Sequence, residues 1–172
     1  MIYITGDCHC NFERLNTEIF PEQEEMTKAD YVIVCGDFGG ARSHDISGGI
    51  LEPEDPDYKI KKKQLDKGWE PYRINHVSWW EQEMPTAEEM EEGRRNLKEH
   101  RNCVDFIVTH CCSSGTQACL GGGMFTPDEL TKYFQELRET VQFKKWFFGH
   151  YHDNKNVNAE EILLYEQIIR IA

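Results

Sequence analysis

Trp146-Phe147-Phe148-Gly149-His150-Tyr151-His152 is the stretch that decides how this chain reads. A short aromatic run closed by Gly has the pattern of a buried strand, and two His follow directly on its end. The same arrangement recurs outward from it. Ile2-Tyr3-Ile4-Thr5-Gly6 leads into Asp7-Cys8-His9, Tyr31-Val32-Ile33-Val34-Cys35-Gly36 into Asp37, and Val104-Asp105-Phe106-Ile107-Val108-Thr109 into His110. In open α/β sheets, ligands bind in the crevice beyond the carboxyl ends of the strands. Two Asp and four His delivered to one edge of one sheet therefore predict a metal site.

Composition bounds what can surround such a site. At 172 residues the chain is expected to form one domain, 1–172, with a sizeable core. Apolar residues are only 39%, but they concentrate in the strand-like runs, which favours a folded domain with polar helices over disorder. A net charge of −12 argues against general nucleic-acid binding, which needs a basic footprint. The basic run Lys59, Lys61, Lys62, Lys63 and Lys67 reads first as a solvated helix or loop face, and second as steering for an anionic substrate. The acidic run from Glu81 to Glu92 reads as the wet side of helices. Seven cysteines, an odd number, fit a reducing compartment better than a disulfide framework. With no signal-peptide pattern at the start and no apolar stretch near the roughly 18 residues of a membrane span, a cytoplasmic protein without a membrane partner is expected.

The elements between the motifs follow from caps and periodicity. A helix is expected from an Asn11 cap, with Phe12, Leu15 and Ile19 on one face, ending at Pro21. Residues 38 to 49 read as loop, and 50 to 68 as irregular and charged. Helices are expected from Pro71 to Glu83, with Trp79-Trp80 as packing residues, and from Thr86 to His100, opened by the capping box Thr86-Ala87-Glu88-Glu89. After a strand over 104 to 109, a Cys-, Ser- and Gly-rich loop is expected over 111 to 123. A helix then runs from Pro127 to about Thr140, a strand covers 145 to 149, and Ile162 to Ile171 supplies one or two closing strands.

Leaving a strand in extended form, Asp7 and His9 point to one side, as do His150 and His152, so each pair can address one ion together. Mixed carboxylate and imidazole ligands suit Mn, Fe, Zn or Ni better than Ca or Mg, and the lack of thiolates at these positions disfavours a purely structural zinc. Six ligands exceed one tetrahedral shell. Two ions about 3.5–4 Å apart, sharing a carboxylate, are the economical reading. A Cys-His zinc site at Cys8, Cys10 or Cys111-Cys112 has the wrong spacing, and these are expected to be small packing thiols, with Cys35 in the core. Gly121-Gly122-Gly123 lacks the Lys-Ser/Thr of a phosphate-binding P-loop.

Gly6-Asp7-Cys8-His9, Gly36-Asp37, Thr109-His110 and Gly149-His150-Tyr151-His152 resemble, in order and context, the calcineurin-like metallophosphoesterases over nearly the whole chain. That resemblance implies an α/β fold, a β-sandwich flanked by helices, shortened in the middle. It further implies Asp7, His9 and His152 on one divalent or trivalent metal ion, His110 and His150 on a second, and Asp37 bridging. The implied activity is hydrolysis of a phosphomonoester or phosphodiester by a metal-activated water. The substrate would be a phosphorylated small molecule, a nucleotide or a phosphoprotein.

One family element is absent. Relatives carry a Gly-Asn-His segment after a further strand between the Gly-Asp and Thr-His motifs. Here Gly36-Asp37-Phe38-Gly39 runs straight into Gly40-Ala41-Arg42-Ser43-His44-Asp45, which looks like a later stretch of relatives. The expectation is an internal deletion after about residue 39 that removes a helix, a strand and the Asn-His turn. The lost Asn would be an oxygen ligand of the second ion. The lost His would assist the leaving group, a role worth roughly 10²–10⁴-fold. His44, close after Asp37, and His76, in an Asn75-His76 dipeptide with helical surroundings, are the candidate stand-ins. Arg42 is a candidate for a phosphate oxygen, against a plain surface role. The alternative function is a catalytically weakened metal- or phosphate-binding protein, with a homo-oligomer as one way to cover a core left exposed.

Overall fold

The computed structural model describes residues 1–39, 50–68, 72–77, 79–122 and 125–172. Its strands, in chain order, are β1 (Ile2–Thr5), β2 (Tyr31–Val34), β3 (Ile50–Leu51), β4 (Arg73–Ile74), β5 (Phe106–Thr109), β6 (Lys145–Phe148), β7 (Lys155–Asn156), β8 (Glu161–Leu163) and β9 (Ile169–Arg170). Four α-helices lie among the described residues: α1 (Tyr58–Gly68), α2 (Ala87–Glu99), α3 (Ser114–Gly121) and α4 (Glu129–Thr140). The described residues are thus mixed α/β, with three small sheets among them ordered β2-β1-β9, β3-β4 and β5-β6-β8-β7. Among the described residues no helix is long and apolar enough to cross a membrane. Contacts divide the chain into two compact units, Met1–Gly40 with Glu88–Ala172, and Ala41–Ala87.

In the first unit, parallel pairing sets the site. Thr5 lies opposite Val34 at the ends of β1 and β2, so Asp7 and Asp37 emerge beyond the same edge. Thr109 lies opposite Phe148 at the ends of β5 and β6, which does the same for His110 and His150. The strand ends that carry the candidate ligands therefore belong to two sheets, not to one as the sequence suggested. The closing segment is shared out between them. β8 joins β6 in parallel, while β9 runs antiparallel to β1.

The period-two alternation of β6 divides the core. Phe147 points into a cluster with Ile4 and Cys35, joined by Ile33, Phe106, Val108 and Ile169, so that residues of both sheets share one apolar centre. Trp146 and Phe148 point the other way, into a cluster with Leu137, Val141 and Leu163, lined by Leu97, Leu120, Tyr133 and Phe134 from the helices. The Trp146 indole N–H donates to Thr109 Oγ1 at 2.7 Å, so the buried ring keeps its polar group satisfied. Arg94 of α2 holds Glu136 of α4 with two hydrogen bonds, of 2.8 and 2.7 Å.

Several expected elements come out differently. In place of a helix after Asn11 there are 3-10 turns at Glu13–Leu15 and Pro21–Glu25. Asn16 Oδ1 accepts from the amides of Glu18 and Ile19, both at 2.9 Å, a local turn that competes with helix continuation, and Ile19 is left 61% exposed. The expected loop at 111 to 123 contains α3, capped by Ser113 accepting from the Thr116 amide at 3.3 Å and closed by Gly122 in the left-handed region.

In the second unit, residues expected to be irregular form β3 and α1, and the expected 71 to 83 helix is instead β4, a turn and a 3-10 stretch at Glu81–Glu83. β3 and β4 pair in parallel, with Leu51 opposite Ile74. Trp80 is 40% exposed there and is not a helix-packing residue. The lysine run sits on α1, which buries no residue.

Candidate metal centre

All six expected ligands lie in the first unit and converge. Asp7, His9 and His152 bring one ligand atom each within 4.8 Å of one another, and Asp7, Asp37 and His110 form a second such group. Within the first, His9 Nε2 faces His152 Nε2 at 2.8 Å, and His152 Nε2 lies 3.4 Å from Asp7 Oδ2. Beside the second, His150 Nδ1 faces His110 Nε2 at 3.1 Å. Two ligands each about 2.0–2.1 Å from one ion, at right-angled to tetrahedral spacing, stand roughly 2.9–3.4 Å apart. The imidazole pairs sit at about that separation.

The two carboxylates straddle the groups. Asp7 turns Oδ2 toward His9 and His152, and Oδ1 toward His110 at 3.6 Å. Asp37 Oδ2 lies 3.7 Å from both His9 Nε2 and His110 Nε2. That oxygen is buried and has no hydrogen-bond partner, a costly state for a carboxylate that a cation would relieve. Asp7 is fully buried and accepts from the His150 amide through both oxygens, at 3.0 and 2.8 Å. Loss of hydration raises its pKa above the ordinary carboxylate value, against the lowering effect of that amide. The donor set and its orphaned oxygen fit divalent metal ions.

Backbone geometry departs from the extended exit expected of these strands. His9 has φ 47°, Asp37 38°, His150 72° and His152 50°, all in the left-handed region that non-glycine residues seldom occupy. The turn beyond β6 consequently splits its histidines. His150 joins His110, and His152 joins His9 and Asp7, rather than both addressing one ion as alternation in an extended chain suggests. Two glycines make room for the ligands. A Cβ at Gly149 would overlap Asp7 Oδ1 and lie 2.9 Å from the Cys35 carbonyl oxygen. Gly36, at φ 94°, would drive one into the His110 ring, 2.8 Å from its Cβ.

The surroundings orient the rings. His110 Nδ1–H donates to the Cys35 carbonyl at 3.0 Å, which leaves the lone pair on Nε2, the nitrogen that faces His150. His150 is open to solvent on one side, yet lost hydration and then neighbouring His110 push its pKa down to about 4, keeping it neutral and able to donate a lone pair. His152 stacks on Tyr165, with ring centroids 4.8 Å apart and planes at 19°. No sequence spacing pointed to Tyr165.

The remaining candidates fall elsewhere. Arg42 and His44 lie outside the described residues. His76 belongs to the other unit. Its setting is a strand-end turn after β4 with φ 56°, not the helix expected, and its amide donates to the Trp79 carbonyl at 2.8 Å. Cys8, Cys35 and Cys112 are buried thiols as expected, whereas Cys10 is exposed and does not pack. Burial pushes Cys35 and Cys111 up to about 12, so neither presents a thiolate near neutral pH. Comparison of the chain with family models, with curated proteins and with solved structures gives no match.

Proposed function

We propose that the first unit is a metallophosphoesterase-type domain that hydrolyses a phosphomonoester or phosphodiester at a centre of two metal ions. The observation that carries this reading is the buried, unpartnered Asp37 Oδ2, placed 3.7 Å from a ring nitrogen of each of the two ligand groups. Asp7, His9 and His152 would hold one ion, His110 and His150 the other, and Asp37 would bridge. On this reading the two sheets that share the Ile4–Phe147 core are the halves of a shortened β-sandwich.

Bound there, such a pair of ions supplies Lewis acidity, making a water nucleophilic and drawing charge from phosphoryl oxygens. The chain's own residues hold the geometry. The His150 amide fixes the Asp7 carboxylate, and the Cys35 carbonyl fixes the His110 tautomer. The exposed faces of His150 and His152 leave an approach for a phosphorylated small molecule, nucleotide or phosphoprotein. From the sequence, His44 and then His76 stay the candidates for a proton donor to the leaving group, and Arg42 for a phosphate ligand.

A second reading is a metal- or phosphate-binding protein with weakened turnover. The absence of a Gly-Asn-His segment between Asp37 and His110 favours it. Metal per chain and release of nitrophenol from mono- and bis-nitrophenyl phosphate with Mn²⁺ separate the two. Two ions with turnover that Asp37→Asn abolishes support the enzyme. Bound metal without turnover leaves the second reading, and a chain that takes no metal sinks both.

A further inference from the structure

We propose that Tyr165 is a positioning residue for this centre: its ring fixes the plane of the His152 imidazole, and its backbone ties the β1 and β6 ends together. The inference rests on the metal-centre reading above. His152 has φ 50° and a side chain 32% exposed; its Nε2 meets His9 Nε2 at 2.8 Å, and the flat face of its ring is the one Tyr165 covers.

Tyr165 is itself anchored on two sides. Its carbonyl accepts from the Gly6 amide at 3.1 Å, from Thr5 Oγ1 at 3.3 Å and from Arg14 Nη1. Thr5 and Gly6 lie at the end of β1 or just past it, beside Asp7, and Arg14 lies in the 3-10 turn Glu13–Leu15. Its amide donates to Asn154 Oδ1 at 2.8 Å, in the turn that carries His152. The Arg14 guanidinium also lies over the Tyr165 ring, 5.5 Å from its centroid. Gly6 is required for this approach, because a Cβ there would overlap the Leu164 carbonyl and stand 2.6 Å from Tyr165 Cα. A tyrosine held this firmly presents a fixed face, and His152 lies flat against it. Partners that orient a ligand without touching the ion typically change metal affinity about 10- to 100-fold.

The test uses the full chain titrated with Mn²⁺, as wild type, Tyr165→Phe, Tyr165→Leu, His152→Asn and the Tyr165→Leu/His152→Asn double variant. Tyr165→Leu is expected to weaken one of two ions by about 10-fold or more, while Tyr165→Phe keeps wild-type affinity. In the His152→Asn background, Tyr165→Leu should add nothing, since both changes act through one ring. In the metal-free chain, loss of the tyrosine ring current should shift the His152 imidazole protons downfield in Tyr165→Leu alone. Equal weakening of both ions, additive effects in the double variant, or unmoved His152 resonances would each overturn the proposal. If wild type binds Mn²⁺ and Tyr165→Leu binds it equally well, positioning alone fails. If wild type binds none, the metal-centre reading fails and takes this inference with it.

Discussion

β2 and β6 are both four-residue strands that end on candidate ligands, yet their surroundings differ. Trp146 and Phe148 are fully buried and Phe147 is 2% exposed, whereas Tyr31 is 61% exposed and Val32 36%. The sheet containing β6 has α-helical residues packed on its outer face. The sheet containing β2 is covered at Phe20, which meets Tyr3 edge-on at 4.8 Å, between two short 3-10 turns. Parallel register alone is enough to deliver a carboxylate to a strand end. Holding that end still takes a covered outer face, or something that bridges it to the better-packed sheet. The candidate ligands are distributed so that bound ions would do this, because each group draws from both sheets.

The largest expected effect tests the packing side of this contrast. Trp146→Ala should cost about 3–5 kcal/mol of unfolding free energy, while Tyr31→Ala should stay within about 0.5 kcal/mol. Urea unfolding of the two variants checks both, and comparable losses would break the comparison. Next comes metal. Free Mn²⁺ at 100 times its dissociation constant should stabilise the chain by about 2.7 kcal/mol. Hydrogen exchange should slow more at Ile33–Cys35 than at Trp146–Phe148, and Asp37→Asn should remove the difference. Equal protection of both strands would mean that the ions do not bridge the sheets.

The smallest effect is with pH. The His150 pKa is lowered from 6.5 to about 4, so between those values the unfolded chain binds a proton that the folded chain does not. Stability of the metal-free protein should therefore rise with pH through that window and fall on acidification. Asp7, with its raised pKa, works in the opposite sense. The informative quantity is the slope difference between wild type and His150→Gln, which should be the shallower of the two in denaturant midpoint against pH.

The strand ends were legible because β-branched and aromatic runs closed by Gly or Thr leave little choice of conformation. Helices α2 and α4 were legible from caps and apolar periodicity, and α4 has an Asp128–Thr131 capping box. Other elements were hidden by competing local chemistry. Helix α3 has the composition of a loop, and its only clear signals are Ser113 as N-cap and Gly122 as the left-handed stop. Residues 71 to 83 carry an apolar spacing that suits a helix, yet Arg73–Ile74 pairs with Ile50–Leu51, a contact that no local pattern announces. At the site, residue identities could be read but not their division between groups. The left-handed turn after β6 sends His150 and His152 apart, and backbone sign is not written in a Gly-His-Tyr-His string.

Those left-handed turns also bear on how this protein would respond to selection. His9, Asp37, His150 and His152 occupy backbone states in which glycine is at ease and a side chain is strained. A search for heat-resistant variants of the metal-free chain would thus be drawn toward these positions, with His9→Gly melting higher than wild type. Each gain would come by deleting a candidate ligand, so on the proposed metal-centre reading robustness and metal affinity would pull this chain in opposite directions at the same residues.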